Sequence, residues 1–124
     1  MRRLLLDQSA PWGLRQVLGA FEVKSAYDMG WDRMANGMLL AAAEEGGFSI
    51  LLSADQSIWH QNTMAGRKIA LVVLGTNHWD TIERDPRLVI ETCDRAGEGA
   101  YAIVSYPAPE AVSVISAIIS FDAL

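Results

Sequence analysis

Apolar residues in this chain gather into short unbroken runs, separated by polar stretches rich in glycine and proline. Leu4–Leu6, Phe48–Leu52 and Ile69–Leu74 are such runs, and their length and β-branched content predict strands buried on both faces of a parallel sheet. Phe21-Glu22-Val23 alternates apolar and polar as a short strand, and Tyr101–Val104 reads as another. Between them the period lengthens. Leu14, Val17 and Leu18 form a helical stripe that starts after Pro11 and stops at Gly19. Met38, Leu39, Ala42 and Ala43 form a second stripe, with Asn36 as its candidate cap and Gly46-Gly47 as its stop. Met29 and Trp31, in the loop before it, are expected to pack over the sheet.

A third helix is expected over Arg84–Ala96, and a final amphipathic one over Ala111–Ile119 after the break at Pro107–Pro109. Residues 55–66 are polar and turn-rich. The order strand, helix, strand, helix, strand, loop, strand, helix, strand predicts an α/β three-layer sandwich. Its central sheet would be mostly parallel, of four or five strands, flanked by helices and joined by right-handed crossovers. No internal repeat appears, and 124 residues suit a single domain over 1–124 with a core of its own.

Composition changes this picture little: 51% hydrophobic and 20% charged residues are ordinary for a compact α/β protein. The lone Cys93 excludes an internal disulfide and a cysteine-rich metal knuckle, so a reducing cytoplasm is the simplest expected location. Arg2-Arg3 before Leu4–Leu6 begins like a signal peptide, but Asp7 stops it after three residues. The apolar tail 111–121 falls short of the roughly 20 residues that cross a bilayer, so no membrane role is expected. The net charge of −5 lies mainly in residues 76–124, where Arg84, Arg87 and Arg95 face eight acids. Such a balance does not favour general nucleic-acid binding, which needs clustered cations.

Two acids carry the chemistry. Asp7 follows Leu4–Leu6 and Asp55 follows Ile50–Ala54, and each is followed by a glutamine, Gln8 and Gln56. Ligands bind outside the carboxyl ends of parallel strands. Two carboxylates brought together there need a shared proton or cation, and hard oxygen donors suit Mg²⁺ or Mn²⁺. Each aspartate alone would serve equally as a turn or helix cap. Asn36 could add an amide oxygen, directly or through water, or act only as a cap. Gln8 and Gln56 read as supporting amides or as turn residues, and Glu44 and Glu45 as solvated surface charges.

In the polar stretch after Asp55, His60 could exchange protons and Trp59 could stack a base, though surface polarity and packing are the commoner roles. Arg67-Lys68 could touch a phosphate, while Thr76, Asn77 and His78 follow the fourth strand at the same edge as the acids. No HxxxH or CxxC pair, Walker lysine loop or GxGxxG is present. A phospho-accepting receiver domain is excluded. It would need an acidic pair after its first strand and a lysine after its fifth, where this chain has Asp7 alone and Ser105-Tyr106-Pro107.

One ordered string of residues resembles a known family. It runs Leu5-Leu6-Asp7-Gln8, Pro11, Leu14-Arg15, Leu18, Gly30-Trp31, Asn36-Gly37, Leu39-Leu40, Ala43, Gly47-Phe48, Leu52, Asp55-Gln56, Gln61-Asn62, Arg67, Ala70 and Val72–Leu74. Over residues 4–80 this is similar to a PIN-like domain of the small stand-alone group related to DUF5615 and the Mut7-C ribonuclease domain. The resemblance implies a Mg²⁺- or Mn²⁺-dependent ribonuclease acting on RNA, in many relatives the toxin of a toxin–antitoxin module. Asp7 and Asp55 would ligate the metal, with Asn36 as third ligand. Gln8, Gln56, Arg67, Thr76 and Asn77 would contact substrate. Related families place an acid where this chain has Asn36, which implies weakened metal binding and slowed hydrolysis. The alternative is a catalytically weak PIN-like scaffold that binds a partner, such as an antitoxin-like protein or a second copy of itself.

Overall fold

A computed structural model of the chain describes residues 1–56 and 64–106. Five strands, β1 (Arg2–Leu6), β2 (Phe21–Ser25), β3 (Ile50–Ser53), β4 (Ala70–Leu74) and β5 (Tyr101–Val104), form one sheet in the order β2-β1-β3-β4-β5. Every neighbouring pair is parallel. Four helices connect them: α1 (Leu14–Val17), α2 (Asn36–Glu45), α3 (Trp79–Arg84) and α4 (Arg87–Arg95). The α/β three-layer sandwich expected from the hydrophobic pattern is therefore present, with five strands. The stretch 57–63 with Trp59, His60, Gln61 and Asn62, and the expected helix over 111–119, lie outside the described residues.

The pleat sorts the core into two layers. Leu4, Leu6, Ile50, Leu52, Ala70, Val72 and Leu74 point to one face and pack against Leu14 and Leu18 of the α1 region, Ile82 of α3, and Val89 and Cys93 of α4. Leu5, Leu51, Leu71 and Val73 point to the other face, against Leu39, Leu40 and Ala43 of α2. β3 and β4 are buried throughout, as strands covered on both faces must be.

The N-terminal ends of the sheet anchor the C-terminal ends of two helices. Arg2 and Arg3 are successive strand residues and leave the sheet on opposite sides. The Arg2 guanidinium donates to the carbonyls of Cys93, Asp94 and Ala96 at the end of α4. Arg3 donates to the Gly46 carbonyl at the end of α2 and lies 4.1 Å from the Phe48 ring centroid. Both cations thus meet the partial negative charge of a helix terminus. Gly47, at φ +81°, supplies the left-handed residue that turns the chain from α2 toward β3.

Three expectations need correction. Asn36 is not the cap of α2: Ala35, with extended backbone, takes that place, its carbonyl accepts from the Leu39 amide at 2.8 Å, and no side chain caps the helix. The helix expected over Arg84–Ala96 begins only at Arg87, because Pro86 offers no N–H and holds Asp85 out of the helical conformation (φ −144°, ψ 76°), and a separate helix, α3, precedes it over Trp79–Arg84. The crossovers also do not share one hand. The β1-to-β2 connection runs toward one edge over the α1 face, and the β2-to-β3 connection returns over the α2 face, so these two agree. From β4 to β5 the chain runs in that second direction but over the α1 face, so its hand is opposite. The usual rule rests on one helix following a twisted strand directly, and this connection is a broken pair of helices.

Candidate functional site

Strand order reverses at β1 and β3: the chain leaves β1 toward β2 and comes back on the other side to form β3. Loops at the carboxyl ends of these two strands therefore diverge, and doubly wound sheets bind ligands in the crevice that results. Asp7 and Asp55 stand at these ends. The β1–β3 ladder pairs Leu6 with Leu52 and is prolonged by the Asp7 amide donating to the Leu52 carbonyl at 3.1 Å. Asp7 thus falls opposite Ser53, and Asp55 lies two residues beyond it.

Asp7 is 7% exposed. Its Oδ1 accepts from the Ser9 hydroxyl at 2.6 Å, the Ser9 amide at 3.0 Å and the Ala10 amide at 3.2 Å, an arrangement in which a strand-end aspartate closes its own turn. The Ser53 side chain also bonds the carboxyl. Desolvation nevertheless outweighs these four bonds and pushes the Asp7 carboxyl above its ordinary value. None of the ion pairs among the described residues reaches it.

Ser9 and Ser53 escaped sequence reasoning. The Ser9 hydroxyl donates to Asp7, accepts from the Ala54 amide at 2.9 Å and lies 3.3 Å from Ser53 Oγ. Ser53 is fully buried, and its hydroxyl accepts from the Asp55 amide at 3.1 Å. The tips of β1 and β3 are thereby joined by two hydroxyls. The available signal was Asp-x-Ser directly after an apolar run, a pattern that makes side-chain-to-backbone turns.

The other candidates divide by edge. Gln56 donates from Nε2 to the Gly75 carbonyl at 2.9 Å, tying the β3 tip to the β4 tip. Thr76 and Asn77 follow that tip, and the Thr76 hydroxyl accepts from the His78 amide at 3.1 Å. A cavity of about 550 Å³ opens beside His78, Asp80 and Arg84. Asn36 opens α2, which starts from the carboxyl edge, and it is half-buried. Gln8 is exposed. With Asp7, Gln8 lines a second cavity of about 350 Å³ bordered by Trp12, Ser25 and Tyr27.

Arg67 does not join this group. It precedes β4 and so lies at the amino edge, where it pairs with Glu44 at 2.7 Å. Glu44 is accordingly no mere solvated charge. Against the desolvation that burial imposes, the Lys68 amide and the Arg67 side chain hold its carboxyl below the ordinary value. Cys93 is inert, its thiol pushed up to about 12 by burial.

Hard oxygen donors at the β1 and β3 tips match a hard divalent cation, though among the described residues no three acidic, histidine or cysteine side chains come together. Among those same residues, no helix is long and apolar enough to cross a membrane. Comparison with known proteins finds no matching family model, no matching curated protein and no matching solved structure.

Proposed function

We propose that this chain is a metal-dependent ribonuclease of PIN-like type whose site lies at the tips of β1 and β3. The observation that carries the reading is a nearly fully buried carboxylate, Asp7, at the switch point of a parallel sheet, with no cationic side chain paired to it among the described residues. Burying an unpaired charge is costly, and such a residue is retained where it does chemistry. Asp7 and Asp55 would hold Mg²⁺ or Mn²⁺, with Asn36 as an amide or water-mediated ligand. The bound ion would lower the pKa of a water and offset charge on the phosphodiester. Ser9 and Ser53 orient the Asp7 carboxyl, while Gln8, Thr76 and Asn77 offer neutral hydrogen-bonding groups to RNA. Gln56 braces the loop through Gly75.

The decisive assay is cleavage of single-stranded RNA with Mn²⁺. Asp7→Asn is expected to lower the rate roughly a hundredfold or more, since the ion's contribution amounts to several kcal/mol. Equal rates for wild type and variant remove the catalytic reading.

A second reading keeps the scaffold without the chemistry. It is favoured by the absence of a third acid among the described residues and by the engagement of Asp7 Oδ1 in its own turn. On that reading the chain binds a partner, an antitoxin-like protein or its own copy, and Mn²⁺ leaves its melting temperature unchanged.

A further inference from the structure

Beside Asp7 lies a feature that the hydrolytic residues do not account for. Two large aromatic side chains, Trp12 and Tyr27, border the cavity of about 350 Å³ that has Asp7 and Gln8 in its lining. Trp12 is 52% exposed and Tyr27 76% exposed, although the core nearby is closed. Neither is carried on a slack loop. The Trp12 turn is braced by the Ala10 amide on the Asp7 carbonyl, the Leu14 amide on the Pro11 carbonyl and the Arg15 amide on the Trp12 carbonyl, at 3.2–3.3 Å.

The Tyr27 turn is held more firmly. The Ser25 amide donates to Asp28 Oδ2 at 3.1 Å, and the Asp28 amide donates back to Ser25 Oγ at 3.0 Å. The Ala26 amide donates to the Leu6 carbonyl at 2.7 Å, and the Trp31 amide to the Ala26 carbonyl at 2.8 Å. These ordered turns hold large aromatic surface out in solvent, with the Arg15 guanidinium over the Trp12 ring. They are suited to a flat ligand.

We infer that the cavity between Trp12 and Tyr27 takes one unpaired nucleobase of single-stranded RNA, stacked on these rings beside the scissile site. The identification of the ligand as RNA rests on the nuclease reading above. Three observations favour a base over a polypeptide. The recess is a cavity on the flank of Asp7, so a nucleotide seated there presents its phosphate next to the candidate metal ligands. Gln8 is exposed in the lining, and its amide can give and accept a hydrogen bond at a base edge. The Arg15 guanidinium lies 4.2 Å from the Trp12 ring centroid, which puts a cation beside the ring that would take the base. Stacking also explains how an acidic chain can hold RNA, because a base contributes affinity through its face and does not require clustered cations.

The test is an anisotropy titration of a fluorescein-labelled single-stranded oligoribonucleotide in EDTA, where hydrolysis is silent. Trp12→Ala and Tyr27→Ala are each expected to weaken binding about 5- to 150-fold, with Trp12→Phe and Tyr27→Phe recovering most of the loss. The duplex form should bind far more weakly than the single strand. Both positions are exposed, so the variants should melt as wild type does. Unchanged affinity in both alanine variants overturns the inference, as does equal affinity for duplex. It is also overturned if the alanine variants alter self-association while RNA binding stays the same, since the occupant is then a protein. Cleavage with Mn²⁺, run in parallel, separates the two ideas. Binding without cleavage sinks the nuclease reading alone, whereas cleavage with KM unmoved in Trp12→Ala and Tyr27→Ala sinks the base site alone.

Discussion

Asp7 illustrates a conflict between stability and function within one side chain. Its carboxyl is pushed up by burial, so the folded state holds that proton more tightly than the unfolded state does. The group therefore favours folding most below the ordinary carboxylate value of 3.8, and this contribution is lost as pH rises through the folded value. Asn at position 7 keeps an oxygen that can accept from Ser9 and Ala10 but carries no charge. In EDTA, Asp7→Asn is expected to melt above wild type at pH 7, with the gap closing as pH falls toward 4. A variant that melts lower at pH 7 shows that the four hydrogen bonds outweigh desolvation. The position of this residue was legible in the sequence as an acid ending an apolar run. Its partners were not, because Ser9 and Ser53 matter only once β1 and β3 lie side by side.

At the scale of elements, α1 is a single turn whose stability comes from what it touches. Leu14 and Leu18 are buried beneath it, and a β-carbon added at Gly13 would lie 2.4–2.7 Å from the Trp79 indole at the start of α3. Gly13 has ordinary helical angles (φ −59°, ψ −19°), so alanine there would by itself gain about 0.4–1 kcal/mol from the unfolded chain. Overpacking costs about 1–3 kcal/mol and wins. Gly13→Ala should lower stability by about 1–2 kcal/mol in urea unfolding, and a neutral or stabilised variant would mean that Trp79 moves aside freely. The strands were readable as apolar runs and α2 as the apolar segment between Asn36 and Gly46, but its inward face was not, since Met38 of the expected stripe is exposed and Leu40 is buried with Leu39 and Ala43. α3 was not, because six residues with Ile82 as the one buried side chain give too short a stripe to stand out from a loop. Nothing local in the sequence encodes which face α3 and α4 cross.

Across the whole molecule, three braced arginines lie at the edge opposite the candidate chemistry. Arg2, Arg3 and Arg67 all sit at the amino edge and are engaged with helix ends or with Glu22 and Glu44. The sequence presented Arg67 as a possible phosphate contact; the topology assigns all three to holding α2 and α4 in place. Arg67→Ala should therefore cost stability, on the order of 1 kcal/mol for a part-buried pair, and leave RNA cleavage unaffected. At the carboxyl edge the expectation is reversed. Mn²⁺ at about a hundred times its Kd should stabilise the fold by roughly 2.7 kcal/mol, a rise of several degrees in Tm, and should do nothing to Asp7→Asn. A rise of equal size in the variant would put the ion elsewhere.

The Ser9 hydroxyl touches the acid ending one strand and the backbone amide just before the acid ending the next. A single oxygen is in this way the hinge pin of the crevice: neither wall can swing without pulling on the other. Breathing at the mouth should then be concerted rather than piecemeal, and Ser9→Ala should speed hydrogen exchange at Ala54 together with Ala10. Loss of protection at only one of the two would mean that the walls move on their own.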